Sequence, residues 1–307
     1  MMSSDPVVSF VMPTFNRAGY IGDAVQSVLD QDSGSWELLI IDDGSTDETG
    51  QVVHGFIDGR IRYFKTPNRE RGAARNLGVS LAKGRLVSFI DSDDLIKKHS
   101  VSSAIDVMMK NPDWTVFHFG YEVRDINGGL VYPAEELPAV TNSILIKRNV
   151  MGCHAIFVLR DILIANPFSE DRDLSGSEDY ELWLRLASRY KIHHINMVTA
   201  CLRNHGGRSM FNTDLSVVER RVEKLLQFAL GDEKVRIYLG DDMPVFKAYR
   251  YSYISLYAAS AGNRTLALTY LFRAVRKSSG ILFSYRALMI VLKMFPIIDV
   301  FRFRIRS

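Results

Sequence analysis

The stretch R-L-V-S-F-I-D-S-D-D-L-I, residues 85–96, decides how the chain is read. Its first half is apolar and β-branched, the pattern of a strand buried on both faces. Its second half sets three carboxylates within four positions: Asp91, Asp93 and Asp94. Carboxylates this close repel one another and are costly to desolvate. A hard divalent cation, which takes oxygen ligands and commonly shares them with a substrate diphosphate, suits the cluster. The plainer reading is a helix cap ahead of the segment after Leu95.

Upstream, strand and helix signals alternate. V-V-S-F-V-M (7–12) is an apolar run stopped by Pro13, and Ala18 to Leu29 has helical apolar spacing. W-E-L-L-I-I (36–41) is a second run ending in D-D-G-S. Thr46 to Phe56 reads as a helix, I-R-Y-F-K (61–65) as a third strand, and residues 71–84 as a helix closed by Gly84. Continuous apolar strands between helices predict an α/β fold: a mostly parallel sheet flanked by helices. Ligands of such sheets bind beyond the carboxyl ends of the strands. P-T-F-N-R, D-D-G-S-T-D and D-S-D-D all fall at such ends, so they converge on one edge.

Further on, residues 114–125 read as a strand entering an N-G-G turn, and residues 150–160 contain another. Residues 175–187 have Ser caps, early acids and an amphipathic run, which predicts a helix start. K-I-H-H-I-N-M-V (191–198) reads as a late strand and R-N-H-G-G-R-S (203–209) as a loop. From about Asp214 the pattern is helical. The expected organisation is a catalytic domain over 1–212 and a basic helical region over 213–307.

Five stretches carry a resemblance: V-S-F-V-M-P-T-F-N-R (8–17), L-L-I-I-D-D-G-S-T-D (38–47), R-G-A-A-R-N-L-G (71–78), F-I-D-S-D-D (89–94) and S-E-D-Y-E-L-W-L-R-L (177–186). In content, order and rough spacing the chain resembles an inverting family 2 glycosyltransferase of the GT-A, Rossmann-like fold. The resemblance covers about residues 6–210 and fades over the last third. It implies a nucleotide-sugar donor, a UDP-sugar foremost, with Mn²⁺ or Mg²⁺. Asp43 would accept a hydrogen bond from the uracil ring, with Asp42 supporting that loop. Pro13, Thr14 and Asn16 would line the nucleoside pocket, and Arg75 and Asn76 would lie against the nucleotide. Asp93, with Ser92 beside it, would serve the metal and ribose region, and Asp91 and Asp94 would complete the metal cluster. Asp179 would be the catalytic base, oriented with help from Glu178. His205 would sit near the metal and diphosphate, with Arg203 and Arg208 as charge partners.

Residue chemistry agrees with this. Breaking a sugar–diphosphate bond develops negative charge on the leaving group, which a divalent ion stabilises. The acceptor hydroxyl is a poor nucleophile and needs a base. The acceptor implied is a glycan or lipid-linked glycan of cell-surface polysaccharide synthesis. Acids in a first helical turn also favour the helix dipole by themselves, which is the plainer reading of Glu178 and Asp179. For Arg75 the plainer reading is a solvated helix face, and for Asp43 an Asx-turn before Gly44. A non-catalytic nucleotide-sugar-binding scaffold of the same fold is the alternative function. A nucleotidyltransferase should show a Gly-rich basic loop after its first strand, which P-T-F-N-R lacks. An aspartyl-nucleophile phosphatase should carry a small or β-branched residue where Leu95 stands.

The net charge of +3 conceals a split. Residues 243–307 hold eleven Lys/Arg and one acid, against 27 basic and 34 acidic residues before them. Residues 281–301 are apolar but interrupted by Arg286, Lys293 and Pro296, and Arg302, Arg304 and Arg306 follow. No run reaches the about 20 apolar residues of a membrane span. A basic amphipathic end is consistent with an anionic membrane surface, or with a helical appendage packed on the core or on a second subunit. No reading motif for nucleic acid accompanies the charge. Two cysteines outside any metal spacing, and an N-terminus without a signal-peptide pattern, predict a cytoplasmic protein, with peripheral attachment to the cytoplasmic membrane face as the extension.

Overall fold

The computed structural model describes residues 5–206 and 214–295; Arg208 and the arginines at 302, 304 and 306 lie outside the described residues. The first third alternates strand and helix: β1 Val8–Thr14, α1 Ala18–Leu29, β2 Trp36–Asp42, α2 Thr49–His54, β3 Ile61–Lys65, α3 Glu70–Leu81 and β4 Leu86–Phe89. Then come β5 Leu95–Ile96, α4 Ser100–Lys110, β6 Val116–Asp125, β7 Leu130–Tyr132, α5 Asn142–Leu145, β8 Ile156–Leu159, α6 Arg160–Ala165, α7 Glu178–Ala187 and β9 Ile192–Asn204. The remainder is helical: α8 Leu215–Gly231, α9 Glu233–Leu239, α10 Met243–Ser260, α11 Arg264–Lys277 and α12 Tyr285–Met294.

The strands form one sheet in the order β3-β2-β1-β4-β8-β6-β9-β5, with β7 paired to β6. Its first four strands are parallel. All seven residues of β1 and of β2 are buried, as continuous apolar runs demand. The strand order steps outward from β1 to β3, then returns to β4 on the other side of β1. That reversal is the topological switch point, where open α/β sheets bind their ligands. Register aligns the strand ends there: Thr14 lies opposite Asp42, Asp42 opposite Lys65, and Val11 opposite Phe89. The antiparallel entry of β8 beside β4 makes the rest of the sheet mixed.

Two of the boundaries that differ from the sequence pattern have local polar or pairing causes. The helix expected from Thr46 begins at Thr49, because Thr46 N–H donates to Asn16 Oδ1 at 2.8 Å and Thr49 N–H donates to Asp47 Oδ1 at 3.0 Å. Those bonds close a turn before the helix. The loop expected from Arg203 begins at His205, since β9 stays paired with β6 through Asn204 opposite Asp125.

Among the described residues the chain divides into two compact units, one of residues 5–141, 151–182 and 190–206, the other of 142–150, 183–189 and 214–295. In the second unit Leu256, Ala259, Ala267, Ile290 and Met294 form an apolar core. Asp232, Asn263 and Ser284 cap α9, α11 and α12 through their side chains.

The glycine expected to close α3 has another task. α3 ends at Leu81, and a Cβ at Gly84 would lie 2.6 Å from Ser9 N and 2.8 Å from the Val8 carbonyl carbon. Only a residue without Cβ lets the chain enter β4 this close to β1. Gly84→Ala is expected to lower the unfolding free energy by about 1–3 kcal/mol in urea titration, as overpacking does. Gly59→Ala, where a Cβ meets nothing within 4 Å, should change it by less than about 0.5 kcal/mol. Equal effects would mean that this close approach costs nothing to disturb.

Candidate active site

The loops after β1 and β2 are laced together by their polar side chains. Asn16, at φ 51°, accepts from Thr46 N–H through Oδ1, and its own N–H donates to Ser45 Oγ at 2.9 Å. Asp42 is fully buried; its Oδ1 accepts from Ser45 N–H at 2.7 Å and its Oδ2 from the Tyr63 hydroxyl. Asp43 accepts from the backbone N–H of Arg69 at 2.7 Å and of Glu70 at 2.8 Å. Glu70 is held at φ 75°, a conformation that side chains other than Gly, Asn and Asp rarely adopt, so the Asp43 carboxylate fixes a strained entry into α3. Burial nonetheless outweighs these amides and raises the pKa of Asp43.

Pro13 and Thr14 close β1. Val11 accepts from Ile90 N–H of the β4 side, and Pro13 shares its parity, so the missing proline N–H falls where β4 pairing has ended. Thr14 is buried and its Oγ1 has no hydrogen-bond partner. A buried hydroxyl without a partner at the switch point is where a ligand group would be satisfied.

The centre of the site is Arg75 on α3. It is 1% exposed, and its guanidinium donates to Glu178 Oε1 at 2.6 Å and to Asp91 Oδ1 at 3.0 Å. Arg71, one turn earlier, approaches Glu178 Oε1 at 3.9 Å. Burial alone would raise Glu178, but Arg75 and Arg71 outweigh it and hold this carboxyl below its usual range. The neighbouring Asp179 is the second residue of α7 and accepts from Tyr180 N–H at 2.7 Å. Burial first, and the Glu178 charge second, push it up to about 6. Two adjacent carboxylates are thereby driven apart in pKa, the arrangement that separates acid–base roles.

Asp91, Asp93 and Asp94 each offer an oxygen, all within 4.8 Å of one another. An all-oxygen set of that span fits Mg²⁺ or Mn²⁺. Asp94 is fully buried, with Arg203 N–H donating to Oδ1 at 3.0 Å and His154 Nδ1 3.4 Å from Oδ2. Asp93 Oδ2 lies 3.1 Å from His205 Nε2 and 3.6 Å from Arg17 Nε. β5 pairs antiparallel with β9, Leu95 opposite Cys201, which brings the end of β9 to the acidic turn. The Arg203 side chain then donates to three groups, the Asp93 carbonyl of the acidic turn and, on α1, the Asp23 carboxylate at 2.6 Å and the Tyr20 carbonyl. His205 stacks on Tyr20 with ring centroids 4.3 Å apart.

The structure thus gathers Thr14, Asn16, Asp42, Asp43, Ser92 and the acidic cluster along one sheet edge, with Glu178 and Asp179 joined to it through Arg75. Arg75 and Asn76, expected against the nucleotide, have their side chains engaged inside the fold. The Asn76 amide donates to the Phe168 carbonyl and Glu170, and its Oδ1 accepts from Phe168 N–H at 2.8 Å, which pins the loop before α7. Arg17, Arg71 and His154 were not singled out from sequence. The first two stand inside the quoted motifs as unremarked arginines. His154 sits in an apolar stretch that carries no signal of a carboxylate partner.

Comparison with known proteins now bears on the geometry. The glycosyl transferase family 2 pattern matches residues 9–162. A relative from Escherichia coli, the UDP-Glc:α-D-GlcNAc-diphosphoundecaprenol β-1,3-glucosyltransferase WfgD, is 32% identical over 239 residues, 76% of this chain and 90% of that one. The chain belongs to glycosyl transferase family 2. It is a glycosyltransferase of α/β, GT-A architecture with a C-terminal helical region. An uncharacterised glycosyltransferase of Rickettsia felis is also 32% identical over 217 residues; they make up 67% of this chain, which spans only 34% of that longer relative. Among solved structures, Staphylococcus aureus TarS 1–349 with UDP-GlcNAc aligns at TM-score 0.68 and 18% identity, over 94% of this chain and 89% of that one. The mannosyltransferase PcManGT of Pyrobaculum calidifontis, with GDP-Man and Mn²⁺, aligns at 0.58 and 17%, over 95% and 88%.

The raised Asp179 has a consequence for stability. An unfolded aspartate titrates near 3.9, so ionising Asp179 in the fold costs stability as pH climbs from about 4 to about 6. Asn carries no charge there. Asp179→Asn should melt above wild type at pH 8, with the gap closing by about pH 4. A gap that is independent of pH would contradict the raised carboxyl.

Proposed function

We propose that this family 2 glycosyltransferase moves a sugar, with inversion, from a nucleotide-diphosphate sugar to a hydroxyl of a glycan or lipid-linked glycan. The observation that carries the proposal is the joining of two carboxylate sets through one buried arginine: the Asp91–Asp93–Asp94 cluster and the Glu178–Asp179 pair. One set suits the leaving diphosphate and the other suits the incoming hydroxyl. A UDP-sugar is the proposed donor, because WfgD uses UDP-Glc and TarS was solved with UDP-GlcNAc. WfgD's diphosphoundecaprenol-linked substrate supports a lipid-linked acceptor in cell-surface glycan synthesis.

Asp43, Thr14 and Asn16 would frame the nucleoside at the switch point. Asp91 and Asp93 would hold Mn²⁺ or Mg²⁺, while Asp94, locked by His154 and Arg203, anchors the turn that presents them. PcManGT was solved with Mn²⁺, in keeping with this assignment. A divalent ion bound there stabilises the charge that develops on the departing diphosphate. Asp179, poised near 6, takes the proton of the acceptor hydroxyl as its oxygen attacks the anomeric carbon. Glu178 stays ionised between Arg75 and Arg71 and keeps Asp179 basic by repulsion.

Thermal shifts with UDP, GDP and their sugars, with and without Mn²⁺, test the donor site. Ligand at about a hundred times its dissociation constant adds roughly 2.7 kcal/mol, a visible shift. The expected result is a UDP-specific, Mn²⁺-dependent shift that Asp93→Ala loses and Asp179→Asn keeps. A shift with GDP alone would reassign the donor to a guanine nucleotide, and none with any nucleotide would refute the donor site.

Turnover tests the base. Asp179→Asn should lower kcat by about 10²–10⁴. For wild type, kcat/KM should rise through about pH 6 and then level, since only the ionised carboxylate accepts a proton. A profile flat between pH 5 and 8 would remove Asp179 from that role.

A further inference from the structure

The second unit carries an apolar face that its own core does not use. On α12, Tyr285, Leu288, Val291 and Leu292 are exposed, and Phe295 just beyond it is 56% exposed. Their spacing places them on one side of the helix, opposite the buried Ala287, Ile290 and Met294. The turn before α12 leaves Phe283 93% exposed, with Leu282 beside it. On α11, Leu268 and Phe272 are exposed one turn apart. Exposed apolar residues scattered singly need no explanation; an aligned helix face with an aromatic turn does.

The charges carried by α10, α11 and α12 themselves are of one sign. Arg264, Arg273, Arg276 and Lys277 are exposed on α11, and Arg264, Leu268, Phe272 and Arg276 follow one another at four-residue spacing. Residues 243–295 contain no Asp or Glu. Arg286 turns inward instead, donating to the Tyr249 carbonyl at 2.9 Å. No helix among the described residues is long and apolar enough to cross a membrane. α12, at ten residues, spans about 15 Å, half of a bilayer's hydrocarbon core. Exposed apolar side chains on α11 and α12, with exposed cations along α11 and helices too short to span, match the chemistry of the headgroup boundary of an anionic bilayer. A second copy of this chain would bring the same positive charge against this face.

We propose that the α11–α12 face docks on an anionic membrane surface, with Phe283, Leu288 and Leu292 entering the acyl boundary and the α11 cations meeting the headgroups. Docking of this face requires nothing of the donor site.

Flotation of the full chain with vesicles tests it, using phosphatidylcholine alone and phosphatidylcholine with about 30% phosphatidylglycerol. The expected result is binding to the anionic vesicles only, weakened by high salt. Phe283→Ser/Leu288→Ser/Leu292→Ser should lower the partition coefficient at least tenfold. Arg273→Glu, Arg276→Glu and Lys277→Glu should each lower it about fivefold, as expected for a cation near a charged surface. All the substituted residues but Leu292 are well exposed, so melting temperatures should stay near wild type. Three results would overturn the proposal. They are no flotation of wild type, flotation that survives the serine substitutions, and a concentration-dependent dimer that those substitutions abolish.

Discussion

One buried cation organises the site. Arg75 lies 5.3 Å from the Phe168 ring centroid and 6.0 Å from that of Phe89, with its charge shared by Glu178 and Asp91. An arginine so enclosed is tolerable only because carboxylates face it. The same holds in reverse for Glu178, which is 3% exposed. Each charge makes the other's burial possible, and together they fix the distance between the start of α7 and the end of β4. A planar guanidinium suits this task, since its fork reaches two carboxylates in set directions.

The rest of the sheet edge is built by turns that hold one another. Asp42, Asp43, Asn16 and Asp47 all accept backbone amides, so the loops after β1 and β2 are bonded to each other and to the entry of α3. Strain at Asn16 and Glu70 is held by those bonds. Acidic side chains that look like ligands in sequence thus divide into two groups. Asp42 and Asp94, both fully buried, shape the loops; Asp91 is partly exposed, and Asp93, though buried, turns Oδ2 toward Arg17 and His205.

The sequence made the sheet legible because period and punctuation agree there. Short apolar runs punctuated by turn residues read as strands; β1 and β2, buried along their whole length, and the partly buried β3 fall within two residues of where the pattern puts them. The site edge was legible for the same reason, since polar clusters end those runs. Arg75 was harder to read. On the helical wheel it is a charged residue like any other, and only the distant Glu178 and Asp91 explain its burial. His154 was likewise silent, because its partner Asp94 is sixty residues away. Asn76 shows the same limit: the motif marks it, but its partners Phe168 and Glu170 come from a loop with no periodic signal. Long-range polar pairing leaves no period in a single sequence.

The central claim is that Arg75 and Glu178 stabilise one another as a buried pair. The direct measurement is a double-mutant cycle on unfolding free energy with Arg75→Met, Glu178→Gln and the double variant. Removing one partner of a buried pair costs about 3–5 kcal/mol, because it strands the other charge. The double variant should therefore lose less than the sum of the single losses, by more than about 1 kcal/mol. Additivity to within about 0.5 kcal/mol would show two independent charges and contradict the account.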